Sequence, residues 1–240
     1  MDDCNAAIRR AETIAVFLDM DGTLIELASR PDAVHVPEDL GRVLAAAGRR
    51  LNGALALISG RMIEDLDRLL SPVRLPASGI HGAEFRLSAE APVLAAEPLS
   101  GMLQEAVACA AAAFTGTMVE DKGASLAVHF RARPDVAAPL RAALQAALAP
   151  GMELLEGDLV FEIKPTGFDK GSALRRFMDI PPFAGRRPIF VSDHAVDRPG
   201  FDAASSLGGF GVSVGQLLPG AACHMANTHA VRSWLRELAA

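Results

Sequence analysis

Two short apolar runs each end in a polar turn and hand over to a helix-patterned stretch, and this repeated unit narrows the fold more than any other feature of the chain. Ile14-Ala15-Val16-Phe17-Leu18 runs into Asp19-Met20-Asp21-Gly22, and a helix follows from Pro37-Glu38-Asp39, with Leu40, Val43, Leu44 and Ala47 at helical spacing. Ala54-Leu55-Ala56-Leu57-Ile58 runs into Ser59-Gly60-Arg61, and Met62 to Leu70 reads as the next helix. Further on, Pro188-Ile189-Phe190-Val191 ends in Ser192-Asp193, and Gly211-Val212-Ser213-Val214-Gly215 gives a short fourth strand. Continuous apolar strands are buried on both faces, and their alternation with helices predicts an α/β fold with a doubly wound parallel sheet.

The middle of the chain has another pattern. Glu84-Phe85-Arg86-Leu87, Thr117 to Glu120, Ser125 to Arg131, Met152 to Leu155 and Leu159 to Ile163 read as strands, and Leu99 to Phe114 and Pro139 to Leu148 as helices. Strand pairs joined by short turns indicate an antiparallel sheet with helices on one face. The expected organisation is a core from residues 1–82 and 165–240, with an α+β domain inserted over 83–164.

In open α/β sheets, ligands gather at the carboxyl ends of the strands. Asp19 and Asp21 fall there. Two like charges this close are costly unless protons or a cation compensate them, and Mg²⁺ is the natural cation. Ser59-Gly60-Arg61 sits where a strand passes to a helix, so its hydroxyl and backbone N–H groups suit a phosphate, and Ser59 equally suits a helix N-cap. Lys170, in Phe168-Asp169-Lys170-Gly171, opens a helix where the dipole disfavours a cation and calls for an anionic neighbour. His81 and His129 read as structural or supporting residues, because no partner spacing suggests a metal.

Bulk properties exclude several classes. A net charge of −6 with no basic tract argues against nucleic acid, and no apolar run is long enough to span a bilayer. The acidic opening Met1-Asp2-Asp3-Cys4 lacks the pattern of a secretory signal, so a cytoplasmic monomer is expected. Cys4, Cys109 and Cys223 are scattered and odd in number, which argues against a disulfide framework.

The string Asp19-Met20-Asp21-Gly22-Thr23-Leu24 resembles the first motif of the haloacid dehalogenase superfamily. With Gly79-Ile80-His81-Gly82-Ala83-Glu84, Val119-Glu120-Asp121-Lys122-Gly123, His129-Phe130-Arg131, Val160-Phe161-Glu162-Ile163-Lys164-Pro165 and Asp169-Lys170-Gly171, the chain resembles the trehalose-6-phosphate phosphatases along most of its length. The resemblance implies hydrolysis of a sugar phosphate, trehalose 6-phosphate, by a catalytic core carrying a cap domain. It implies Asp19 as nucleophile, Asp21 as general acid and base, and Lys170 as the cation beside them. Thr23, Ser59, Gly60 and Arg61 then surround the phosphate, and Glu120, Arg131 and Glu162 grip the sugar or its phosphate. The Mg²⁺ ligands it implies are Asp19, Asp21 through its backbone carbonyl, and Asp193.

Three positions depart from the family pattern. His194 and Arg198 stand where acids are usual, and Asp158 stands where a sugar-contacting Lys is usual. These departures leave two alternatives: a phosphatase for another sugar phosphate, or a regulatory protein that binds trehalose 6-phosphate with little turnover.

Overall fold

The computed structural model describes residues 14–28 and 33–240, so the expectation drawn from Met1 to Cys4 lies outside the described residues. The chain divides into two compact units, Met1–Leu94 with Asp169–Ala240, and Ala95–Phe168. Along the chain the first elements are β1 (Ile14–Leu18), α1 (Leu40–Arg50), β2 (Leu55–Ile58), α2 (Ile63–Leu70), β3 (Ala77–Gly79), β4 (Glu84–Arg86) and the short β5 (Leu94–Ala95). Next come α3 (Gly101–Ala112), β6 (Met118–Asp121), β7 (Leu126–His129), α4 (Ala137–Ala146), β8 (Met152–Gly157) and β9 (Val160–Pro165). The chain closes with α5 (Lys170–Met178), β10 (Arg187–Ser192), α6 (Arg198–Ser206), β11 (Phe210–Val214), β12 (Ala221–Met225) and α7 (Thr228–Ala239).

The larger sheet has the order β12-β11-β10-β1-β2-β3-β4-β5. From β12 to β3 neighbouring strands run parallel, and β4 is antiparallel to β3. Every residue of β1 and β2 is buried, as continuous apolar runs require when helices cover both faces. Leu18 stands level with Val191 on one side and Leu57 on the other, so three strands end together near Asp19, Ser192 and Ser59. Helices seat their apolar stripes on this sheet, with Leu40, Leu44 and Ala47 buried on α1 and Ile63, Leu66 and Leu70 on α2. Phe17, Phe177 and Phe183 pack together beneath β1, with ring centroids 4.9 to 5.7 Å apart. Each such ring, fully withdrawn from water, contributes roughly 2 kcal/mol.

The structure differs from the sequence pattern at both margins of the insertion. Glu84–Arg86 pairs with Ala77–Gly79 in the larger sheet, and the smaller unit begins near Ala95 and ends at Phe168. A three-residue strand shows no periodicity to reveal its partner; what fixes it is Arg86. Arg86 is 1% exposed, donates bidentately to Asp67 at 2.6 Å through each of Nη1 and Nη2, and donates to the Leu75 carbonyl. Burial pushes the Asp67 carboxyl up, but Arg86 and Arg74 outweigh it and hold it below the usual carboxylate range. The pair therefore contributes stability at neutral pH that is lost as pH falls below about 4, through the depressed folded-state value. Asp67→Ala, which strands the buried guanidinium, is expected to cost about 3 kcal/mol in urea unfolding at pH 7. A cost below about 1 kcal/mol would mean that the pair is solvated like an ordinary surface bridge.

The smaller unit is an antiparallel sheet of order β6-β7-β9-β8. Leu126, Val128, Phe161 and Ile163 pack against Leu103, Val107, Leu140 and Leu144 of α3 and α4. Because side chains alternate along a strand, the other face carries Glu120, Ala127 and Glu162 in one cross-strand row. The doubly wound core with an inserted α+β unit is therefore the observed architecture.

The chain adds β12 and α7 beyond the last strand that the hydrophobic pattern predicts. Cys223 on β12 is disulfide-bonded, against the expectation for scattered cysteines, whereas Cys109 is an exposed thiol.

Candidate active site

Asp19 leaves β1 with its N–H donating to the Val191 carbonyl at 3.0 Å, and its side chain is nearly buried. Lys170 Nζ lies 2.8 Å from Asp19 Oδ1 and 2.7 Å from Asp197 Oδ2. Lys170 is the first residue of α5, whose start is fixed by a capping box: the Asp169 side chain accepts from Ser172 N–H, and Ser172 Oγ accepts from Asp169 N–H. A cation at this end of a helix opposes the dipole, and two carboxylates compensate it. Burial works against the Lys170 ammonium, but Asp19 and Asp197 outweigh it and hold its pKa above the usual lysine range. Burial pushes the Asp19 carboxyl up; Lys170 opposes this, and the neighbouring Asp197 and Asp193 add to it.

Asp197 is a site residue that motif reading did not single out. It is 2% exposed, in a short 3-10 turn, and also accepts from Ser192 Oγ. The signal was present as an acid one helical turn after Asp193. His194 holds this turn: its Nδ1 accepts from Val196 N–H at 3.2 Å, and its carbonyl from Asp197 N–H. Its imidazole thus supplies the side-chain acceptor at the start of this turn. Arg198 is exposed and lies 3.4 Å from Asp202, one turn along α6.

Asp193 accepts from Thr23 Oγ1 at 3.3 Å. Gly22, at φ +71°, approaches it so closely that a Cβ there would stand 1.9 Å from Asp193 Oδ2. Only glycine meets both demands. Burial raises the Asp193 pKa, with Lys170 opposing. Asp19 and Asp193 are thus hard oxygen donors in a buried place where each disfavours the other's charge, and a divalent cation would relieve both. Among the described residues no group of three His, Cys, Asp or Glu side chains is arranged for a metal.

Asp21 is gripped by Arg61, whose Nε and Nη2 donate to its two oxygens at 2.6 and 2.7 Å. Arg61, expected near the phosphate, thus reaches the residue expected to move protons. Ser59 is buried and its Oγ accepts from Arg61 N–H at 3.2 Å. It does not cap α2, which begins at Ile63; the Glu84 carboxylate does so, accepting from Ile63 N–H at 2.6 Å.

In the smaller unit Glu162 is buried and accepts from Ser125 Oγ at 2.6 Å, with Lys122 Nζ 3.4 Å away. Glu120 Oε2 lies 2.8 Å from His129 Nε2, and this hydrogen bond, with Lys122 nearby, holds the Glu120 carboxyl below its usual range against burial. Arg131 donates to both the carbonyl and the carboxylate of Asp158, at 3.1 and 2.9 Å.

The trehalose-phosphatase family model matches residues 17–219, a span that takes in Asp19, Ser59, Lys170 and Asp193. The chain belongs to the trehalose-phosphatase family. With it comes membership of the phosphoric monoester hydrolases. A probable trehalose-phosphate phosphatase of Sinorhizobium fredii is 40% identical over 209 residues, covering 85% of this chain and 79% of its own. The trehalose-6-phosphate phosphatase of Escherichia coli is 38% identical over 232 residues, covering 93% and 86%. The C-terminal domain of the Candida albicans trehalose-6-phosphate phosphatase superposes with a TM-score of 0.83 at 20% identity, over 98% of this chain and 94% of that one. At that identity the superposition shows the fold of the trehalose-phosphatase chain alone. No helix among the described residues is long and apolar enough to cross a membrane.

Proposed function

We propose that this chain hydrolyses trehalose 6-phosphate to trehalose and phosphate, with Mg²⁺, through an aspartyl phosphate on Asp19. The observation that carries the reading is the buried Lys170 Nζ 2.8 Å from Asp19 Oδ1 at the carboxyl end of β1, in a chain 38% identical to the Escherichia coli enzyme over 93% of its length. Lys170 holds one oxygen of Asp19 while the other attacks phosphorus, and the bond to the sugar oxygen breaks. Asp21 gives that oxygen its proton. In the second half Asp21 takes a proton from water as the water attacks the aspartyl phosphate, and phosphate leaves Asp19 regenerated. Ser59, Gly60 and Thr23 line the phosphoryl oxygens, and Arg61 steadies Asp21 between its two proton transfers. Mg²⁺, held by Asp19, Asp193 and the Asp21 carbonyl, would supply the positive charge that lets two anions meet. Glu120 and Glu162, from one row of the smaller sheet, and Arg131, from the turn after β7, meet the sugar hydroxyls, a role that suits polar groups.

One observation favours a second reading. Arg131 is already paired with Asp158, so its cation is partly spent, and a sugar phosphate of different shape would then be the better substrate. Phosphate release from a panel of sugar phosphates, with Mg²⁺ and with EDTA, separates the two. The expected result is EDTA-sensitive release with at least about a tenfold kcat/KM preference for trehalose 6-phosphate. A like preference for another sugar phosphate would move the substrate and keep the chemistry; ligand binding without release would point to the regulatory role.

A further inference from the structure

We propose that His81 is a positioning residue for the phosphate-binding turn: a left-handed elbow seats its imidazole against Gly60 and so fixes Ser59 and the Arg61 guanidinium that holds Asp21. This rests on the proposed roles of Ser59 and Asp21. The elbow is unusual in its backbone. Ile80 and His81 are consecutive non-glycine residues at φ +47° and +53°, and for a β-branched residue such a value is a true outlier. Conformations of this kind persist only where the surroundings enforce them, and they gather at functional sites.

What the elbow achieves is visible in its contacts. Ile80 N–H donates to the Arg61 carbonyl and His81 N–H to the Ser59 carbonyl, both at 3.0 Å. Three residues on, Glu84 caps Ile63, so one short segment grips the turn from Ser59 to Ile63 at three points. The imidazole lies so close to Gly60 that a Cβ there would stand 2.7 Å from Nε2 and 2.8 Å from Cε1. A ring pressed on the middle residue of the turn limits how far Ser59 and Arg61 can shift. A displacement of an ångström at such groups is enough to slow a phosphoryl transfer that depends on alignment.

The test uses His81→Gly, which adopts the left-handed backbone freely, keeps the N–H and removes only the ring. His81→Asn serves as the conservative replacement, since Asn tolerates the same backbone. Each is compared with wild type for melting temperature, kcat and KM, and Mg²⁺-dependent binding of inorganic phosphate by calorimetry. The expected signature for His81→Gly is a kcat loss of about tenfold or more with phosphate binding weakened several-fold, at nearly unchanged melting temperature, and partial recovery in His81→Asn. A lowered melting temperature with kcat and phosphate affinity both within about twofold of wild type would overturn the proposal and leave His81 a packing residue. If wild type binds phosphate yet releases none from any phosphomonoester, the functional reading fails by itself, and phosphate affinity alone then judges His81.

Discussion

Asp19→Asn abolishes phosphate release, with kcat expected to fall by at least about ten thousandfold. Asparagine has nearly the same shape and its oxygen can still accept from Lys170, so geometry survives while the nucleophile is lost. Stability is expected to hold as well. Burial disfavours the Asp19 charge, and removing that charge leaves Asp197 to balance the ammonium 2.7 Å away. A variant that unfolds at the wild-type temperature yet fails even in a single turnover would separate chemistry from folding. Mass spectrometry after quenching at low pH should find a phosphorylated peptide containing Asp19 in wild type and none in the variant. Activity above about one per cent of wild type, with deamidation excluded, would remove Asp19 from the nucleophile's role.

Lys170→Met tests the other side of the pair and has a different signature. The side chain is 5% exposed, and its removal leaves Asp19 and Asp197 facing each other without their shared cation. Stranding buried charge in this way costs about 3 to 5 kcal/mol. Without Lys170, which opposes the effect of burial, the Asp19 pKa moves further above its unfolded-state value. Such groups bind protons more tightly when folded, so the deficit should shrink as pH falls from 7 towards 5. Urea unfolding at several pH values measures this, and a deficit below about 1 kcal/mol at pH 7 would mean that water or a cation had replaced the ammonium. Turnover should be lost together with stability.

The alternation of buried strands with amphipathic helices made the core legible, because a parallel sheet covered on both faces writes itself as continuous apolar runs at Ile14–Leu18 and Leu55–Ile58. Asp19, Asp21, Ser59 and Asp193 were legible for a related reason: they follow such runs, where the sheet opens to ligands. What stayed hidden depends on contacts between distant residues. Nothing local says that Arg61 will grip Asp21, that Asp197 will share Lys170 with Asp19, or that Glu84 will cap α2. β12 was hidden differently. Its Ala-Ala-Cys-His-Met sequence lacks the β-branched residues of a strand, and it occupies the edge of the sheet, where burial is only partial. His81 could be ranked only once its backbone was seen, since a histidine between Ile80 and Gly82 carries no sign of a left-handed φ.

The close approach of Gly22 to Asp193 also bears on how such a chain can diverge. Any side chain at position 22 would occupy the space of the Asp193 carboxylate, which stands 1.9 Å from the nearest ideal Cβ. The two positions are therefore bound to a single evolutionary fate, although they lie on opposite sides of the insertion in sequence. Drift at 22 is open only to descendants that have already surrendered the acid at 193, and with it the second carboxylate of the proposed cation site. The surroundings of these two residues, such as His194 and Arg198, face no such exclusion.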